Sequence, residues 1–291
     1  MPGGDLVLLD REGAPRSGRS SWHTASPPAI LEETMSSRTR APASLEALVE
    51  SEDLDLEVLH PGDFALTEEL ARLCGVRGGH ALLDVASGTG ASAIHLTKRL
   101  GCRVVGVDAS PRMVERARAR AHEAGVDVEF RQADAHSLPF PAGSFDFVIS
   151  ECTLCLLDKE RALGEMVRVA RPGGCVGMHD ICWREGAPRS TRARLAEIEG
   201  ERPETLAGWR ALFESVGLTE VQALDRSDVI PAWMKEMRRR IGLLGQARLA
   251  LRIFQRWGPV GLLRIGRSQR ILSGRHMGYG LLIGRKPRAD G

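Results

Sequence analysis

The segment LLDVASGTGAS, Leu82 to Ser92, packs an acid, two glycines and a helix start into eleven residues. Gly88 and Gly90 can turn tightly and let the backbone approach a ligand without Cβ interference. A helix beginning near Ala91 would then turn its unpaired N–H groups toward an anion such as a carboxylate or phosphate. Gly88-Thr89-Gly90-Ala91-Ser92-Ala93 also fits G-x-G-x-x-A, a dinucleotide fingerprint that purely structural glycine turns imitate. The neighbouring acids sharpen it. RVVGVDAS closes its apolar run at Asp108, 18 residues after Gly90, where a carboxylate can accept hydrogen bonds from both hydroxyls of a ribose. RQADAHSLPF supplies Asp134 after the next run, within reach of an adenine amino group. A solvated loop cap would account for any one of these acids. Three at successive strand ends beside a glycine loop point to a nucleoside site.

A second set of reactive side chains follows in SECTLCLLDK and MHDICWRE. His179 can act as a general base near neutral pH with Asp180 orienting it, although adjacent strand residues face opposite sides and at most one reaches a pocket directly. Small buried thiols commonly do no more than pack, which is the reading for Cys155 and Cys175. Cys152 differs because it stands just beyond a strand end, where a donor group would face it. Cys152 and Cys155 make a C-x-x-C with no second half, so no metal site is assigned.

Short apolar runs alternate with helical periods, the pattern of a parallel α/β sheet. Strands are expected at Ala81–Ala86, Arg103–Asp108, Val126–Arg131, Phe145–Ser150, Cys175–Asp180, Leu218–Leu224 and Tyr279–Gly284. Helices are expected at Ala91–Leu100, Pro111–Ala124 and Lys159–Ala170, the last stopped by Arg171-Pro172-Gly173-Gly174, and at Leu206–Val216 behind Thr205 as N-cap. Residues 1–42, rich in Gly, Pro, Ser and Arg, read as a disordered extension, and Met35 as an alternative start of translation.

In the order LDVASGTG, VVGVDASPRMVERARAR, VEFRQADAHSLPF, FDFVIS and RALGEMVRVARPGG, the chain resembles the class I S-adenosylmethionine-dependent methyltransferases from about Val58 to Pro287. The resemblance implies one domain over residues 43–291, a Rossmann-like sheet of order 3-2-1-4-5-7-6 with an antiparallel seventh strand, and helices on both faces. Asp84, Ala86 and the loop Gly88, Thr89 and Gly90 would hold the methionyl end of S-adenosylmethionine. Asp108 and Ala109 would meet the ribose, Asp134 and Ala135 the adenine, and Ser150 with Glu151 would floor the pocket. His60 and Phe64 would close over the methionyl group. Ala86 departs from the family's usual first glycine. Acceptor chemistry would fall to Cys152 and His179, acting on a small molecule. The Ser150-Glu151-Cys152 stretch also resembles arsenite methyltransferases, where such a thiolate binds trivalent arsenic, yet their other two cysteines have no match here. A nicotinamide-dependent oxidoreductase remains the alternative from another class, and a non-catalytic binding module a further one.

Composition narrows the rest. No apolar run approaches the roughly 18 residues of a membrane span, no secretory leader is apparent, and six cysteines read as reduced thiols in a cytoplasm. The net charge of +2 hides an asymmetry: from Pro231 onward 14 Lys/Arg face two acids, while the remainder carries 26 against 36. The expected helical insertion at 231–277, between strands six and seven, holds most of that excess. Trp233, Met237, Ile241, Leu244, Leu251, Phe254 and Trp257 fall near helical spacing, which predicts a lid packing this stripe on the core with its arginines outward. Peripheral membrane contact is the sharper alternative. Nucleic-acid binding is not expected, for lack of any reader motif.

Overall fold

The computed structural model describes residues 43–50 and 60–288; the expected N-terminal extension and the Met35 start lie outside them. Seven strands form one sheet, β1 (Ala81–Val85), β2 (Arg103–Asp108), β3 (Glu129–Gln132), β4 (Phe145–Glu151), β5 (Ala170–Trp183), β6 (Thr219–Asp225) and β7 (Met277–Arg285). Their order is β3-β2-β1-β4-β5-β7-β6, with β7 antiparallel to both neighbours, as the resemblance implies. The strand order reverses between β1 and β4, which opens a crevice at the C-terminal strand ends.

The helices are α1 (Leu45–Glu50), α2 (Asp63–Cys74), α3 (Ala91–Leu100), α4 (Pro111–Ala124), α5 (Lys159–Val169), α6 (Arg189–Glu199), α7 (Leu206–Ser215) and α8 (Val229–Leu272). Local chemistry sets their ends. Ser110 caps α4 by accepting from Met113 N with Pro111 in the first turn, Asp158 caps α5, and Thr205 caps α7 through Gly208 N at 3.0 Å. α2 lies directly on the sheet: a Cβ on Gly177 would stand 2.8 Å from Leu70 and 2.9 Å from Cys74. Cys175 packs there as expected, its sulfur 3.0 Å from that of Cys74.

Three expectations need correction. Arg171-Pro172-Gly173-Gly174 does stop α5, but the chain goes straight into β5, with Ala170 already paired to Phe145. α6 was not expected, because it starts behind Pro188 without a side-chain cap and buries only Leu195, Ile198 and Glu199. In the insertion, α8 is broken at Gly242 (φ 64°) and Gly258 (φ 64°), and each break resets the helical phase. The stripe from Trp233 to Trp257, read across Gly242, is therefore not one buried face: Leu244 is 78% exposed, Leu251 55% and Phe254 49%. Ile253 and Ile265 are buried instead, forming a second small core with Ala43 and Leu48 of the α1 region.

Register places this insertion. Asp225 of β6 pairs with Gly280, and Trp183 at the end of β5 pairs with Met277. α8 thus leaves and rejoins the sheet at the edge that carries the C-terminal ends of β1, β4 and β5.

Candidate active site

β1, β2 and β4 bring the expected donor residues to one edge. Val85 pairs with Val107 on one side and Ser150 on the other, so the loop after β1 is flanked by the ends of β2 and β4. Ala86 sits at φ 61°, a left-handed conformation that glycine adopts freely and that costs a non-glycine residue about 1 kcal/mol. Gly90 is required more strictly. It has φ 75° at the start of α3, and a Cβ there would stand 2.4 Å from the Phe130 ring and 2.9 Å from Ala117. No side chain caps this helix start, which leaves it open to a ligand.

Gly88 N donates to Asp108 Oδ2 and Ser110 N to Oδ1, both at 2.9 Å, so the carboxylate is fixed in place at the strand end. Thr89 Oγ1 accepts from Arg120 at 2.8 Å. Ala109 is exposed, its carbonyl accepting from the Gln132 side chain. Asp134 accepts from the backbone and ring of His136; burial works against its charge, but those hydrogen bonds hold it below the ordinary carboxylate range. Ala135 beside it is buried.

Asp84 is 2% exposed, and burial pushes its carboxyl well up, with the nearby carboxylates of Glu151 and Asp108 adding to the effect. Its Oδ2 lacks a hydrogen-bond partner, as do Ser87 Oγ and Ser150 Oγ. Buried polar atoms without partners are costly. A ligand offering an ammonium group and hydroxyls would satisfy this edge, so the residues fit an amino-acid-bearing nucleoside.

β4 and β5 build a different centre. Glu151 and His179 are paired across the two strands, and Glu151 Oε1 lies 2.9 Å from His179 Nε2. Glu151 Oε2 lies 3.1 Å from His60 Nε2 and also accepts from Ser92 Oγ at the start of α3. Behind His179, the Tyr279 hydroxyl stands 2.9 Å from Nδ1, and His60 Nδ1 faces the Pro61 carbonyl at 3.2 Å. The ligating atoms of His60, Glu151 and His179 all lie within 4.8 Å of one another, a set able to share a proton or to hold a metal ion.

Electrostatics divide the roles. Burial opposes charge on all three groups, but the flanking imidazoles hold Glu151 well below the ordinary range. Burial lowers His60, yet the Glu151 carboxylate outweighs it and the net shift is upward. For His179 burial prevails and the shift is downward. The cluster is thus a carboxylate between two imidazoles shifted in opposite directions, His60 toward the charged form and His179 away from it.

As alternation requires, Asp180 faces away from His179, accepting from Cys155 N at 2.9 Å and from Ile181 N. Burial raises its carboxyl to about 6. It fixes the turn after β4 and does not orient His179. Cys152 bends the chain there at φ 54° and donates its N–H to the His179 carbonyl. Burial, with Asp180 and Glu201 nearby, pushes its thiol well up, the opposite of what thiolate chemistry needs. Phe64 stacks on His95, their ring centroids 4.1 Å apart, so the expected closing pair is represented in the cluster by His60. Sequence reasoning missed Tyr279, whose strand was expected but whose partner lies 100 residues away.

Residues 82–174 match a family model described as a methyltransferase domain. The 27-O-demethylrifamycin SV methyltransferase of Amycolatopsis mediterranei (strain S699) is 32% identical over 231 residues, which is 76% of this chain and 83% of that protein. Among solved structures, the cyclase SpnF superposes with a TM-score of 0.65 at 27% identity, over 77% of this chain and 82% of that one. Phosphoethanolamine N-methyltransferase 2 of Haemonchus contortus, solved with S-adenosyl-L-methionine, gives a TM-score of 0.69 at 20% identity, over 83% of this chain and 56% of that one. These comparisons lend no support to a nicotinamide-dependent or an arsenite-directed reading.

Proposed function

Because the chain belongs to the class I S-adenosylmethionine-dependent methyltransferases, we propose that it methylates a hydroxyl of a small molecule, with the His60–Glu151–His179 cluster taking up the proton. The observation that carries the proposal is the buried carboxylate held between two imidazoles beside the glycine-loop edge. The name of the Amycolatopsis relative, an O-methyltransferase, supports oxygen as the acceptor atom.

When bound, S-adenosylmethionine supplies a sulfonium methyl open to in-line displacement. The chain's own groups position the two partners. Asp108 takes the ribose hydroxyls with Ala109 beside it, Asp134 and Ala135 take the adenine, and Asp84, Ala86, Gly88, Thr89 and Gly90 take the methionyl end. Asp84 returns to its carboxylate form against an ammonium group. Glu151 links the halves through Ser92 and receives the hydroxyl proton, while His179 Nε2 holds its other oxygen and Tyr279 holds that ring from behind. Cys152 serves the bend that aims Glu151. The reaction belongs in the cytoplasm, a reading supported by six cysteines whose spacing makes no disulfide framework. Among the described residues no helix is long and apolar enough to cross a membrane.

Calorimetry with S-adenosylhomocysteine, with NADH and NADPH as controls, tests the donor half on wild type and Asp108→Ala. Binding of the homocysteine compound that weakens by about 2 kcal/mol in the variant is expected, from the loss of hydrogen bonds to a charged acceptor. Transfer of labelled methyl to a hydroxylated acceptor, measured against pH, tests the other half. Because His179 is depressed, its acid limb should lie below the ordinary imidazole value of about 6.5. Binding without transfer to any hydroxyl, amine or thiol acceptor would remove the catalytic reading.

A further inference from the structure

The middle segment of α8, between Gly242 and Gly258, carries two apolar faces. Leu249, Ile253 and Trp257 recur every fourth residue and join Ala43 and Leu48 in the second core, which fixes that face to the protein. Leu243, Leu244, Ala247, Leu251 and Phe254 fall within an arc of about 100° on the other side of the helix. That arc faces solvent: Leu243 is 86% exposed and Leu244 78%, with Leu251 and Phe254 about half exposed. Val260 and Leu263, 64% and 59% exposed, extend the apolar surface past the second break. Isolated exposed leucines are ordinary, but a continuous run of this kind marks a contact surface.

Charge identifies what it contacts. Arg248, Arg252 and Arg256 repeat every fourth residue along one margin of the exposed stripe, and all three are exposed. Across α8 ten Lys/Arg stand against a single acid, Glu236, which Arg239 and Arg240 already engage. A second copy of the chain on this face would bring two arginine-rich segments of like sign together. A hydrophobic stripe bordered by arginines suits an anionic interface, with apolar side chains among the headgroups and guanidinium groups on the lipid phosphates.

We propose that the exposed stripe of α8 docks the protein on the surface of an anionic bilayer. Since α8 leaves and rejoins the sheet at the edge holding Glu151 and His179, docking would hold the acceptor side of the site toward the membrane surface. The inference does not rest on the proposed hydroxyl acceptor, because the stripe lies outside the site.

Co-sedimentation of the full chain with vesicles of phosphatidylcholine, with and without phosphatidylglycerol, tests it. The double variant Leu251→Glu/Phe254→Glu changes two exposed side chains, so unchanged circular dichroism and unchanged S-adenosylhomocysteine binding are its controls for folding. The expected result is binding to the anionic vesicles that falls about tenfold or more both in the variant and in high salt. No sedimentation with anionic vesicles would overturn the proposal, as would equal sedimentation of variant and wild type. A solution dimer that the variant dissociates would assign the stripe to a second copy. Vesicle binding seen only after deletion of residues 1–42 would assign it to the chain's own N-terminal segment. Either result also overturns the proposal.

Discussion

The two halves of the sheet hold their sites by different means. On the β1–β3 side the ligand-facing groups are backbone turns and short acids anchored locally, such as Asp108 held by Gly88 N and Ser110 N. On the β4–β7 side the reactive groups are long side chains that meet across the fold: His60 comes from before α2, Glu151 from β4, His179 from β5 and Tyr279 from β7. The first arrangement suits a ligand that does not change, since turn geometry tolerates little variation. The second can be altered one side chain at a time without disturbing the glycine loop, and it couples acceptor chemistry to buried charge.

Removing one charge tests that division most severely. Glu151→Gln should lower turnover by about a thousandfold, the scale of a lost general base, while S-adenosylhomocysteine affinity stays within about threefold. A parallel fall in affinity would instead place Glu151 in the donor pocket, where the family resemblance puts it. The converse substitution is Gly90→Ala. A Cβ 2.4 Å from Phe130 at φ 75° combines left-handed strain with overpacking, so thermal unfolding should show a loss of about 3 kcal/mol. Wild-type stability in that variant would mean that Phe130 can move aside and that the loop is less constrained than its geometry implies.

The same division governs what the sequence made legible. Asp84, Gly88, Gly90 and Asp108 announce themselves because turn, strand end and helix start are adjacent in the chain. For the same reason the predicted limits of β2, α3 and α4 match the structure to the residue. Glu151, His60 and Tyr279 gave no comparable signal: contacts between residues about 90 and 100 apart leave no local pattern. His179 was legible as a base by residue type, but its supposed partner Asp180 lies on the opposite face. The insertion was legible as a basic helix and misread in phase, because one period was carried across Gly242, whose positive φ breaks it. α6 escaped for want of a cap and of a strong apolar face.

The smallest effect gives the most direct reading of the buried cluster, because its two histidines are shifted in opposite directions. His60 is raised in the folded protein, so its contribution to stability is complete below the ordinary value of about 6.5 and is lost as pH rises through the folded value. His179 is depressed, so protonation favours the unfolded chain and stability is lost as pH falls below that same ordinary value. Together the pair should produce a stability maximum close to it. Glu151→Gln removes the carboxylate that raises His60, leaving burial to depress both imidazoles. The alkaline loss should then vanish while the acid loss persists. Unfolding midpoints of wild type and variant between about pH 5.5 and 8.5 read this when both carry Asp84→Asn, since Glu151 also raises the Asp84 carboxyl and groups it does not touch cancel in the difference. If the alkaline loss survives in Glu151→Gln, the Glu151–His60 ion pair is not its source. The acceptor-side cluster would then be held by neutral hydrogen bonds and packing rather than by buried charge.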